Sequence, residues 1–220
     1  MINNRPHIIE EGNLIYELGV LKDNELIYDF DKMLIYIEAK GKQQLGKGFK
    51  LFEEDHDILF KLCNYIIRDQ VNCKQLNIDL NKGILLTGPV GCGKTSLMKL
   101  LRHVVPHQKP YKVIPTRNIV FDFNHAGYKI IEDYGNMNYF CFDDLGVEPT
   151  GRHYGKDCNV MGEIILSRYD LFLKTKIKTH ATTNLNAQEL EDRYGNRVRS
   201  RMRQMFNLVG YDKSSIDKRK

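Results

Sequence analysis

The stretch GILLTGPVGCGKTSLMKLL, residues 83–101, decides the fold. Residues 83–87 are a short apolar run that opens on glycine, the pattern of a strand buried on both faces. Gly88, Pro89, Val90, Gly91, Cys92, Gly93, Lys94 and Thr95 then fit the spacing G-x-x-x-x-G-K-[ST]. The segment that follows, 94–104, reads as a helix. Glycines at these positions let successive backbone N–H groups curl round a phosphate, and the helix N-terminus adds its dipole. Lys94 would bridge β- and γ-phosphates, and the Thr95 hydroxyl would hold Mg²⁺. The expected nucleotide contacts run from Gly88 through Ser96. Cys92 reads as a small filler whose thiol lies beside a positive site. A chance Gly-rich turn would lack the strand before it and the helix after it.

Downstream, strand and helix patterns alternate. YKVIP and NIVF (111–121) read as a broken or edge strand interrupted by Pro115, and YFCFD (139–143) as a buried strand. Residues 159–174 form a helix pattern, while 177–183 and 206–211 are strand-like. The fold class is α/β, with a mostly parallel central sheet flanked by helices. Upstream, 51–69 reads as an amphipathic helix and GKQQLGKG (41–48) as a linker. Residues 25–39 place Leu26, Ile27, Phe30, Leu34, Ile35 and Ile37 at helical spacing. The expected organisation is an acidic N-terminal arm, 1–46, with one amphipathic helix, then a core over 47–220.

A magnesium-nucleotide site needs a carboxylate at the end of a neighbouring strand, and Asp143-Asp144 closes the run YFCFDD. Asp143 would bind Mg²⁺ directly or through water, and Asp144 would polarise the attacking water. A pair of capping aspartates is the plainer alternative. The run ATTN (181–184) offers Asn184, with Thr183 next, to reach a γ-phosphate or its water; Asn184 could equally cap the next helix. Near the end lies YGNRVRSRMRQMF (194–206), with Arg197, Arg199, Arg201 and Arg203 at alternate positions. Helix suits it better than strand, since Arg197 and Arg201 then share one face, and Arg199 and Arg203 another.

At 220 residues, 42% hydrophobic and 28% charged, the chain is long and apolar enough for one well-buried core. No apolar run approaches the roughly 20 residues a membrane span needs. The opening MINNRPHIIEEG lacks a leader's basic-then-apolar layout, so a cytosolic protein is expected. Five scattered cysteines without a C-x-x-C pair read as reduced thiols. His103 and His107 have no nearby cysteine or carboxylate to complete a zinc site. Residues 1–60 carry seven Lys/Arg against twelve Asp/Glu, and 193–220 carry nine against two. An acidic front and a basic back suit different partners, or simply two solvated faces.

Together GPVGCGKT, FCFDDLG, HATTNL and YGNRVRSRM, over roughly residues 83–211, resemble the AAA+ ATPases. More narrowly they resemble the DnaC/IstB-like branch of helicase loaders and transposition helper ATPases. The resemblance implies a P-loop AAA+ core binding ATP and Mg²⁺. Lys94 and Thr95 would take the Walker A roles, Asp143 and Asp144 the Walker B roles, and Asn184 that of sensor 1. Arg201 would be the arginine finger, accompanied by Arg197, acting in trans on a neighbouring subunit of a homo-oligomer. Such fingers are worth roughly 10³–10⁵ in rate. Asp144 departs from the usual Glu by one methylene. The helical lid of the family is largely absent from the sequence, and Arg219 is a weak stand-in for its sensor 2 arginine.

The function this implies is a DNA-linked, oligomeric ATPase of DNA replication (helicase loading) or transposition. It would hold DNA, single-stranded above all, through Lys129, Arg199 and Arg203. Residues 1–46 would dock a replicative helicase or transposase, unless their helix packs back on its own core. The alternatives are a nucleotide-dependent switch or adaptor with negligible hydrolysis, and a monomeric P-loop kinase.

Overall fold

The computed structural model describes residues 5–23 and 25–219, grouped in two compact units, Met1–Leu80 with Ser96–Pro110 and Asn81–Thr95 with Tyr111–Lys220.

The first unit opens with two hairpins. Strands β1 (Ile8–Glu11) and β2 (Leu14–Glu17) pair antiparallel, as do β3 (Gly19–Lys22) and β4 (Glu25–Tyr28). Helix α1 (Phe30–Leu45) follows, with the Asp29 side chain accepting from Lys32 N. The helix expected over 25–39 therefore starts five residues later. Leu26 and Ile27 belong to β4, because Asp29 caps the helix and alternation, not helical spacing, governs the residues before it. Nor are residues 41–45 a linker, since they form the last turns of α1. Met33, Tyr36, Ile37 and Gly41 are its buried face. Gly41 is a packing residue: a Cβ there would meet the Phe49 ring at 2.2 Å. Glu11 ties the first hairpin to this helix, accepting from Tyr36 Oη (3.1 Å) and Lys40 Nζ (2.6 Å). A 3₁₀ turn (Glu53–Asp55) leads into α2 (His56–Ile67), which buries Ile58, Leu59, Leu62 and Cys63, and then into α3 (Gln70–Gln75).

The second unit is built on a parallel five-stranded sheet. Strand β5 (Gly83–Thr87) runs into the loop 88–93, after which helix α4 (Lys94–Leu101) carries the chain into the first unit. Strand β6 (Lys112–Pro115) is followed at once by α5 (Thr116–Ala126) and α6 (Tyr128–Gly135). Residues 118–121, expected to be strand, lie in α5. Pro115 ends the strand, and the apolar Ile119, Val120 and Phe123 then form one buried helical face. Strand β7 (Phe140–Asp143) is wholly buried. A hairpin of β8 (Gly151–His153) and β9 (Lys156–Cys158) separates it from α7 (Val160–Thr175). Strand β10 (His180–Thr183), helices α8 (Ala187–Tyr194) and α9 (Asn196–Met205), and β11 (Phe206–Gly210) complete the unit.

The sheet order is β11-β5-β10-β7-β6. β6 is thus an edge strand, where proline is tolerated. The β10 strand lies between the strand that enters the glycine loop and the strand that ends in Asp143. Its His180 is buried and pushed down to about 3, chiefly by that burial, so the neutral ring accepts at Nδ1 from Ile84 N (3.1 Å). Helix α9 passes without a loop into β11, which pairs residue for residue with β5 from Phe206↔Gly83 to Gly210↔Thr87. Asn207 Nδ2 adds a bond to Gly83 O (3.1 Å), and Tyr211 N one to Thr87 O (2.9 Å). Phe123, Phe140, Phe142, Ile164, Val198 and Met202 sit in the core beneath the helices.

Candidate nucleotide site

Parallel strands bring their C-terminal ends to one edge of the sheet, the edge at which open α/β sheets bind ligands. Here that edge gathers the loop 88–93 and the ends of β7 and β10. Gly91 (φ +86°) and Gly93 (φ +100°) take backbone conformations that side chains rarely adopt, which is why glycine recurs in the loop. The Lys94 side chain is 5% exposed and folds back along the loop. Its Nζ donates to Gly88 O (2.8 Å) and Pro89 O (2.7 Å). Cys92 is fully buried; burial raises its thiol pKa, outweighing the opposing charges of Lys94 and Lys218. A protonated filler, not a reactive thiolate, fits that position.

Thr95 and Asp143 meet directly: Thr95 Oγ1 donates to Asp143 Oδ1 at 2.8 Å. A third residue, absent from the sequence reading, completes the arrangement. Thr182 Oγ1 donates to the same Asp143 oxygen at 2.7 Å and accepts from Asp144 N at 2.9 Å. Thr183 makes a different bond. It is buried and donates to Leu145 O (2.7 Å). The register His180↔Cys141, Ala181↔Phe142 sets Thr182 beside Asp143, and alternation sends Thr183 to the opposite face. A sequence lacks the register, so it could not separate the two threonines.

Asp144 stands in the left-handed region (φ +56°), with its carbonyl accepting from Thr116 Oγ1 at 3.0 Å. Burial, then the adjacent Asp143 charge, raises its carboxyl pKa; Lys94 and Arg219 oppose the rise. Asn184 follows β10, and its Oδ1 is buried without a hydrogen-bond partner. Such an oxygen is costly unless a ligand or water meets it. The helix after it is capped by Asn186, which accepts from Gln188 N and Glu189 N, so Asn184 is not the cap.

Glu148, also missed by the sequence reading, joins this edge to the arginine segment. Its carboxylate accepts from Gly146 N (2.8 Å) and the Tyr194 hydroxyl, and Arg193 bonds its carbonyl. Tyr194 ends α8, one residue before Gly195 and α9. The four arginines lie on α9, which is helical as expected. Arg197 is exposed, and Arg201 is partly buried with its guanidinium 5.2 Å from the Tyr169 ring centre. Lys129 and Arg203 are exposed, whereas Arg199 is half-buried with its Nε unpartnered.

These residues fit a magnesium nucleotide. Magnesium takes few protein ligands, usually one or two carboxylates with substrate phosphates and water. Thr95 and Asp143, already in contact, match that donor set, and the orphaned Asn184 oxygen awaits a polar partner. Among the described residues, no helix is long and apolar enough to cross a membrane.

No protein-family model matches the chain. A 43-residue segment is 42% identical to an ABC transporter ATP-binding protein of Methanosarcina acetivorans, covering 19% of this chain and 7% of that protein. Solved structures share far more of the chain. The DnaC helicase loader superposes with a TM-score of 0.54 at 18% identity, over 76% of this chain and 96% of its own. DnaI gives 0.53 at 17%, over 76% and 89%. The replication initiator DnaA bound to AMPPCP and single-stranded DNA gives 0.51 at 15%, over 76% and 49%. With its five-stranded parallel sheet flanked by helices, the chain has the fold of the DnaC and DnaI structures.

Proposed function

We propose that this chain binds and hydrolyses ATP with Mg²⁺, as an oligomeric AAA+ protein linked to DNA in replication (helicase loading) or transposition. The observation that carries the reading is that Thr95 and Thr182 both donate to Asp143 Oδ1 while Thr182 accepts from Asp144 N.

In this reading the N–H groups of residues 91–95 bind the phosphates, and Lys94 leaves the loop carbonyls to reach them. Bound Mg²⁺, held by Thr95 and Asp143, would neutralise phosphate charge. Asp144 orients and deprotonates the attacking water, its raised pKa making it a stronger base than an ordinary aspartate. Asn184 Oδ1 positions that water. Arg201, with Arg197 beside it, serves the site of an adjacent subunit. The likeness to DnaC, DnaI and single-stranded-DNA-bound DnaA supports a place in replication. Lys129 and Arg203 are the exposed cations available to phosphates.

ATP hydrolysis per subunit, measured over a wide protein concentration range with and without single-stranded DNA, tests this. Specific activity should rise with concentration and respond to DNA. Arg201→Ala should abolish turnover while nucleotide still binds. A rate flat with concentration and indifferent to Arg201 overturns the oligomeric reading.

A further inference from the structure

The last described residues lie on the phosphate loop itself. After β11, Tyr211 packs on Gly88, where a Cβ would come 2.7 Å from Tyr211 Cβ. The chain turns at Asp212, whose Oδ1 accepts from Ser214 N (2.8 Å), and runs back over the loop. Lys218 N donates to Gly91 O (3.1 Å) and Lys218 Nζ to Cys92 O (2.9 Å). The same ammonium lies 4.9 Å from the Tyr211 ring centre. The Asp217 carboxylate abuts Gly91 so closely that a Cβ there would fall 2.0 Å from its Oδ1. Asp217 Oδ1 in turn accepts from Arg219 N (3.0 Å), and the Arg219 charge is felt at Asp144. The segment thus lies against the loop at Gly88, Gly91 and Cys92.

We infer that residues 212–219 are an intrasteric strap, which holds the nucleotide-free phosphate loop and must lift for a polyphosphate to enter. The inference rests on the nucleotide reading above. Three features carry it. The Asp217 carboxylate, 3.6 Å from Arg219 Nε, fills the space against Gly91 through which a phosphate chain brought to residues 91–95 would have to pass. Lys218 gives its backbone N–H to Gly91 O and its ammonium to Cys92 O, so the segment is fastened to the loop at two carbonyls. The strap is otherwise exposed, with Ile216 52% accessible, so little apolar burial opposes its release. Nucleotide entry would free Lys218 and Arg219, making the state of the site legible at the protein surface. A strap closed roughly nine-tenths of the time weakens apparent affinity about tenfold.

The test compares MgATP binding by calorimetry for the full-length wild type and for Asp217→Asn/Lys218→Ala. Amide exchange of residues 212–219 is followed with and without MgATP. The variant should bind about five- to tenfold more tightly, and MgATP should strip protection from the Lys218 amide in the wild type. Equal affinities overturn the strap alone. Weaker binding by the variant, with protection rising in MgATP, also overturns it, making the segment a clamp on bound nucleotide. If neither protein binds MgATP, the nucleotide reading falls and takes the strap with it.

Discussion

Thr182 offers the sharpest test of how the site is held. Its hydroxyl is fully buried, donates to Asp143 Oδ1 at 2.7 Å and accepts from Asp144 N at 2.9 Å. Thr182→Val keeps the branched shape and the strand preference while deleting both bonds. The Asp144 N–H loses its acceptor beside a fully buried Thr182, which costs about 1–3 kcal/mol, and a bond to a charged carboxylate contributes about 1.5–3 kcal/mol. The two losses share one hydroxyl and are not independent, so the expected destabilisation is about 2–4 kcal/mol. At about 2–4 °C per kcal/mol for a chain of this size, the melting temperature should fall by about 4–16 °C. Thr182→Ser is the control: it keeps both bonds and loses one buried methyl, about 1 kcal/mol. Urea unfolding of the three proteins gives the comparison. A Val variant within about 0.5 kcal/mol of wild type, or a Ser variant as unstable as Val, would refute the claim that this hydroxyl organises the paired aspartates.

Asp144→Asn should abolish hydrolysis while retaining nucleotide, and its stability effect should depend on pH. The folded-state pKa of Asp144 lies above the ordinary 3.8. The folded chain therefore holds this proton more tightly than the unfolded one, and ionising the carboxyl lowers stability as pH rises from 3.8 through the folded value. The Asn variant should gain on wild type over that window, keep the gain at neutral pH and lose it below about 3.8. An advantage that does not vary with pH would instead trace to the left-handed backbone, which Asn also favours. Glu148→Ala should strand the Tyr194 hydroxyl and Gly146 N–H and cost about 2–4 kcal/mol. Glu148→Gln, which keeps an acceptor, should cost less; equal losses in chemical denaturation would refute the network.

The glycine loop was legible because its pattern is local: glycines, lysine and threonine stand at fixed spacing along one strand, loop and helix. Buried strands β5 and β7 were legible as short apolar runs for the same reason. Two kinds of feature escaped. Short amphipathic segments were assigned the wrong period, so residues 25–28 read as helix although β4 pairs with β3. Residues 118–121, with Ile119, Val120 and Phe121, read as strand although they lie in a helix that buries Ile119 and Val120 and leaves Phe121 exposed. The other kind depends on residues far apart in sequence. Thr182 meets Asp143 through strand register, Glu148 meets Tyr194 across an intervening helix, and Asp217 meets Gly91 across most of the unit. Each is an unremarkable polar residue in its own neighbourhood.

The junction of α9 with β11 has a mechanical consequence. The arginine helix ends at Met205, and the next residue already pairs with the strand that feeds the phosphate loop. Five registered pairs and the Asn207 bond leave no slack between them. Helix and loop are therefore two ends of one continuous stretch: any tilt of β5 would reach Arg197 and Arg201 without passing through a connecting loop. If those arginines serve a neighbour, occupancy of one site sets the reach of the finger offered to the next, and news of ATP travels round the assembly in a single sense.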